Sequence, residues 1–343
     1  MDLYEICAGI RPVDATAAAA CAARFDRVAK PLGSLGKLEE LTARIAAVTG
    51  SAEIGPLRKA VAVFCADNGV VRQGVAQHGH EVTTAVAGLL RDGSASVSVM
   101  AKMCGAEVFA VDIGMIDTVD GICNKKMMAG AADITEGPAM ARKTAENAVN
   151  IGIETVKDLK AKGFNIIATG EAGIGNTTTS SAVCSVILGL PAEKVTGRGA
   201  GLDDAGLLRK VAAIERAICV NRPDPSDPID TLHKVGGLDI AALTGIFIGG
   251  AFYGIPIVMD GFISGAAALL AVRMQPDIAG YILPSHESGE PGAGFISETL
   301  GFSPVIQAGM RLGEGTGAVA LFPLLDMALA VYNDAATYAD IAI

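Results

Sequence analysis

The sequence predicts an α/β protein: an open, mostly parallel sheet with connecting helices, joined to a small helical unit. Three observations carry that expectation. Apolar, β-branched runs ending in an acid or a glycine recur along the chain, a helix-like segment follows each, and 42 glycines in 343 residues supply many tight turns. Strands that alternate with crossover helices form parallel sheets covered on both faces, and such strands read as continuous apolar runs.

Helical periodicity comes first, over residues 16–29 and 35–48, broken by the turn Pro31-Leu32-Gly33. Five strand-like runs follow: AVAVFCADNG at 60–69, AEVFAVDIG at 106–114, NIIATGEAG at 165–173, IPIVMDG at 255–261 and PVIQAGMRLGEG at 304–315. Ligands of open parallel sheets bind outside the carboxyl ends of the strands. Asp67, Asp112, Glu171, Asp260 and Glu314 stand at those ends and are therefore the acids placed to do chemistry. The stretch 240–259 is uncharged for 20 residues, close to a membrane-spanning length. Five interruptions (Gly245, Gly249, Gly250, Gly254 and Pro256) and the flanking Asp239 and Asp260 favour a helix, a turn and a buried strand instead.

Composition narrows the function. Lys and Arg number 27 against 37 Asp and Glu, a net charge of −10, so no basic stripe exists to neutralise a nucleic-acid backbone. With 51% hydrophobic and 19% charged residues, disorder is excluded. Seven cysteines without a C-x-x-C pair indicate neither a disulfide framework nor a zinc site, and acids near the N-terminus stand where an export signal needs basic residues. A cytoplasmic protein without a membrane partner is expected.

Three glycine-rich turns can carry chemistry. The first, Gly170 to Ser181, contains Gly173, Gly175, Asn176, Thr177 and Thr178 at the junction of a strand and a small-residue helix. Backbone N–H groups can converge there on an anion, aided by the helix N-terminus. Neither Walker A nor the dinucleotide fingerprint is present, which points to a lone monophosphate. The second, Gly197 to Asp204, includes Gly199, Ala200 and Gly201, with Lys210 two helical turns further on as a cation. The third places Glu314 between Gly313 and Gly315, where a carboxylate with little polar company becomes a usable general base. Taken alone, each turn is read first as close helix–sheet packing, and each acid as a helix start. Two carboxylates beside phosphate-type turns suit glycosyl chemistry, in which one moves a proton and another stabilises an oxocarbenium-like centre. His78 and His80 lack a third clustered ligand, so no metal is assigned, and Ser285-His286 lacks the nucleophile elbow of a serine hydrolase.

The ordered motifs resemble one family, the nicotinate-nucleotide:dimethylbenzimidazole phosphoribosyltransferases. The blocks are Lys30 to Glu39, Cys65 to Val70, Gly170 to Thr178, Gly197 to Leu202, Lys234 to Gly237, Asp260-Gly261-Phe262, Pro284-Ser285-His286 and Met310 to Ala318, nearly the whole chain. The resemblance implies a Rossmann-like domain over 56–325 and a small helical domain from 1–55 completed by a C-terminal helix at 326–343. It also implies a dimer, of two copies or with a paralogue. The implied reaction moves phosphoribose from nicotinate mononucleotide to an aromatic base for cobamide assembly, without metal or cofactor. By resemblance Glu314 is the general base and Glu171 the second acid. The first two turns, Lys210 and Gly315 would hold the nucleotide, and His78, Val86, Ala172 and Leu312 the base.

Four positions depart from the family pattern: Asn68 for a usual His, Ala172 for a larger Leu or Met, His78-Gly79 for Ser-Pro and Val86 for Gln. Loss of the Gln removes a polar contact to an azole edge and makes a phenolic acceptor plausible. A catalytically silent subunit is the rival reading, and the presence of Glu314 weighs against it. An ordinary Rossmann oxidoreductase is disfavoured by the absent fingerprint.

Overall fold

Residues 2–342 are described by a computed structural model. Strands β1 (Lys59–Ala66), β2 (Glu107–Gly114), β3 (Cys123–Asn124), β4 (Ile166–Ala172), β5 (Ile257–Met259) and β6 (Ile282–Pro284) form one sheet in the order β3-β2-β1-β4-β5-β6. Every pairing is parallel. Strand order reverses between β1 and β4, and a crevice opens at such a switch point.

The pleat of β1 divides the core. Ala60, Ala62 and Phe64 face a layer that includes helices Arg142–Ala161, Leu238–Tyr253 and Phe262–Met274. Val61, Val63 and Cys65 face the other layer, with helices Ala15–Arg27, Lys37–Thr49 and Thr316–Asp334. In the first layer Gly152 and Gly245 let two helices touch backbone to backbone, for a Cβ on either would overlap a carbonyl of the other helix. Asp14, Asp203 and Asp227 cap the helices that follow them by accepting backbone N–H bonds.

One expectation is corrected. Residues 304–315 form no strand; Ile306 makes an isolated parallel bridge to His286, just beyond β6. Gly309, Gly313, Glu314 and Gly315 all take positive φ, which an extended run cannot accommodate. The edge is β6 instead, where Pro284 is tolerated because no further strand needs its missing N–H. The helices at the two chain ends divide between the layers. Leu3, Ile6 and Cys7 of helix Leu3–Gly9 belong to the first layer, whereas Phe25, Ile45, Leu329 and Tyr332 pack together in the second. Position 325 lies within the unbroken helix Thr316–Asp334, and the tail after it pairs back through Ala29 N–H to Ala336 O, 2.8 Å.

Candidate active site

A cavity of about 260 Å³ opens at the carboxyl end of β4 and just beyond those of β5 and β6. Its floor is Glu171, next to last in β4 and placed beside Phe64 by the β1–β4 register. The chain then turns sharply at Gly175, whose φ of 92° starts helix Asn176–Leu188 and whose absent side chain leaves Val71 in place. Opposite lies the loop holding Glu314. Its φ of 60° is strained for a side-chain-bearing residue, between Gly313 at 90° and Gly315 at 93°. The loop rests on β4: Glu314 N–H donates to Glu171 O at 3.2 Å, and any side chain at Gly170 would strike the Glu314 carbonyl. Oε2 of Glu314 accepts from Val97 N–H at 3.1 Å, at the start of helix Ser96–Met103, where the helix dipole favours an anion.

Four carboxylates, Glu171, Asp239, Asp260 and Glu314, converge here. Burial, then the charges of Asp239 and Asp260, push Glu171 well above the usual carboxylate range, with Asn176 opposing. Asp239 is pushed to about 6 by burial. Asn176 Nδ2 donates to Glu171 and, at 3.1 Å, to Asp239 Oδ2, tying the pair. Asp260 is also raised by burial, against the nearby His286 and the Ala318 N–H that donates to it at 3.0 Å. Burial and their shared negative charge thus favour the protonated forms of Glu171, Asp239 and Asp260.

Of the residues singled out in the sequence, His78, Val86, Glu171, Ala172, Gly173, Gly175, Asn176, Thr177, Gly199, Ala200, Leu312 and Glu314 all line this cavity. Thr178, Gly201, Lys210 and Gly315 do not. Thr178 is buried behind the helix start, and Gly201 O accepts from Gln77 Nε2 at the outer edge. Lys210 is completely buried, its Nζ donating to Thr177 Oγ1 at 2.8 Å and Gly197 O at 3.1 Å. Burial lowers its pKa to about 8. It therefore braces both glycine-rich turns from behind.

The family described as "Phosphoribosyltransferase" matches residues 10–343. A protein of Acetivibrio thermocellus named nicotinate-nucleotide–dimethylbenzimidazole phosphoribosyltransferase is 48% identical over 324 residues, covering 93% of this chain and 92% of its own. One of the same name from Ruminiclostridium cellulolyticum is 47% identical over 319 residues, covering 92% and 91%. The chain belongs to this phosphoribosyltransferase family. The crystal structure of CobT from Thermus thermophilus superposes with a TM-score of 0.91 at 36% identity, over 96% of this chain and 99% of that one.

Three wall or floor residues of this phosphoribosyltransferase escaped the sequence reading. Glu290 sits on the cavity wall and bonds Gly199 N–H, Asp239 lies beneath Glu171, and Thr83 Oγ1 accepts Ile174 N–H at 3.2 Å. Asp239 was visible only as the charge that bounds an apolar run, and Glu290 only as the residue before Pro291. Asn68, the departure from the usual His, stands behind the first turn and donates to Ile174 O at 3.3 Å.

Proposed function

We propose that this cavity transfers 5-phosphoribose from nicotinate mononucleotide to dimethylbenzimidazole or another aromatic base, releasing nicotinate and an α-ribotide. The observation that carries the reading is the meeting of Glu314 and Glu171 in one cavity with both glycine-rich turns. A base nitrogen or oxygen forms the new bond to C1′ as the bond to nicotinate breaks, and its electron pair returns to the pyridine nitrogen. Inversion at C1′ follows from attack opposite the leaving group. The attacking base loses a proton, which passes to Glu314; a positioned general base contributes about 10²–10⁴-fold. Burial and then its acidic neighbours favour the protonated form of Glu171, which limits the second negative charge facing the incoming base. The pyridinium is already a good leaving group, so the departure needs no acid.

The turns at 173–177 and 199–200 offer backbone N–H groups to the 5′-phosphate, with Lys210 behind them as the cation. Val75, Val82, Val86, Ile174 and Leu202 make the base wall apolar, which suits a flat ring with one polar edge and admits a phenol as readily as an azole. We place the protein in the cytoplasm as a dimer, of two copies or with a paralogue; Leu312, 56% exposed at the cavity mouth, is the apolar residue a neighbour would cover.

Calorimetry with nicotinate mononucleotide tests the turns. Gly175→Val meets Val71 Cγ2 at 2.8 Å and Gly199→Val meets Thr177 Oγ1 at 2.9 Å, so both are expected to weaken binding, whereas Thr179→Ala, which loses only a bond to Asn176 O, changes it little. Unchanged affinity in both glycine variants would contradict the assignment.

A further inference from the structure

The turn assigned to the phosphate already holds an anion of the protein's own. Glu290 Oε1 accepts the Gly199 N–H at 3.0 Å, and the residue is only 8% exposed. Its Oε2 is buried with no hydrogen-bond partner among the described residues, packed so closely on Gly197 that a Cβ there would overlap it. Lys210 feels the Glu290 charge, yet gives its hydrogen bonds to Thr177 and Gly197 O. Glu290 precedes helix Pro291–Leu300 without its side chain capping it, so local structure does not require the carboxylate to lie there. A half-satisfied buried carboxylate is costly, and a phosphate cannot share the Gly199 N–H with it.

We propose that Glu290 is a specificity-determining residue that occupies the Gly199 amide until a nucleotide displaces it and then accepts a hydrogen bond from a ribose hydroxyl. Carboxylate and phosphate groups of nicotinate mononucleotide are acceptors only, so its ribose hydroxyls are the donors able to satisfy a freed carboxylate. Sulfate, a tetrahedral anion that carries no proton near neutral pH, must displace Glu290 without supplying that donor. The nucleotide is therefore repaid for the displacement and sulfate is not. This rests on the placement of the 5′-phosphate on the 197–201 turn proposed above.

The experiment compares inhibition by sulfate with the affinity for nicotinate mononucleotide in wild type, Glu290→Ala and Glu290→Gln. Gln keeps the volume and an acceptor oxygen while removing the charge, so it guards against a variant that merely disturbs the turn. Sulfate is expected to inhibit both variants about tenfold more strongly, roughly one charge-assisted hydrogen bond. Nucleotide affinity is expected to hold in Gln and to fall in Ala, so the preference for nucleotide over sulfate narrows in both. An unchanged preference in both variants overturns the role of Glu290 alone. Adding Gly199→Val to Glu290→Gln is expected to abolish the gain in sulfate binding; a gain that survives overturns the placement of the anion on this turn, and the role of Glu290 with it.

Discussion

Asp239 is the buried carboxylate whose titration is most open to measurement. Its pKa moves from the ordinary 3.8 to about 6, so the folded protein binds a proton that the unfolded chain has released between those values. A raised folded pKa means stability that is fully present below about pH 4 and lost as pH rises through about 6; the interval corresponds to about 3 kcal/mol. Asp239→Asn removes that loss while its side-chain oxygen can still accept the Asn176 amide. Urea unfolding at pH 4 and pH 8 is expected to show the variant gaining on wild type at pH 8 relative to pH 4. An equal difference at both values would place the acid's proton elsewhere in the group of four. At the same scale, Glu171 and Glu314 were legible in the sequence because each is an acid set among glycines at a strand or helix junction. Glu290 and Asp239 were not, because Glu290 meets Gly199 across 91 positions and Asp239 meets Asn176 across 63, and no local pattern records such meetings.

Among the elements, the helix pair Arg142–Ala161 and Leu238–Tyr253 depends on two glycines. Gly245→Ala would drive a methyl into Val149 O and is expected to destabilise by about 3 kcal/mol, at the upper end of overpacking costs. Gly88 in helix Glu81–Arg91 has nothing within 4 Å, so Gly88→Ala is expected to stabilise by about 0.5–1 kcal/mol through helix propensity. Chemical denaturation of both variants checks the pair, and equal effects would contradict the close backbone approach. Strands β1, β2 and β4 were legible because seven or eight residues leave a continuous apolar run. With two and three residues, β3 and β6 leave none, and the apolar start of 304–315 imitated a strand that its left-handed residues forbid.

For the molecule as a whole, the choice of acceptor and the chemistry of transfer are what the fold exists to control. With Val86 in place of a Gln and an apolar wall around it, competition between equimolar dimethylbenzimidazole and p-cresol is expected to give a detectable O-glycoside beside the benzimidazole ribotide. Exclusive formation of the benzimidazole product would remove the phenolic acceptor. The most direct test of the site is Glu314→Gln, assayed by nicotinate release with both substrates saturating. The side chain keeps its size and loses only its capacity to take the proton, so kcat is expected to fall about 10²–10⁴-fold while nicotinate mononucleotide still binds. A variant that retains more than about a tenth of the wild-type kcat would contradict Glu314 as the general base.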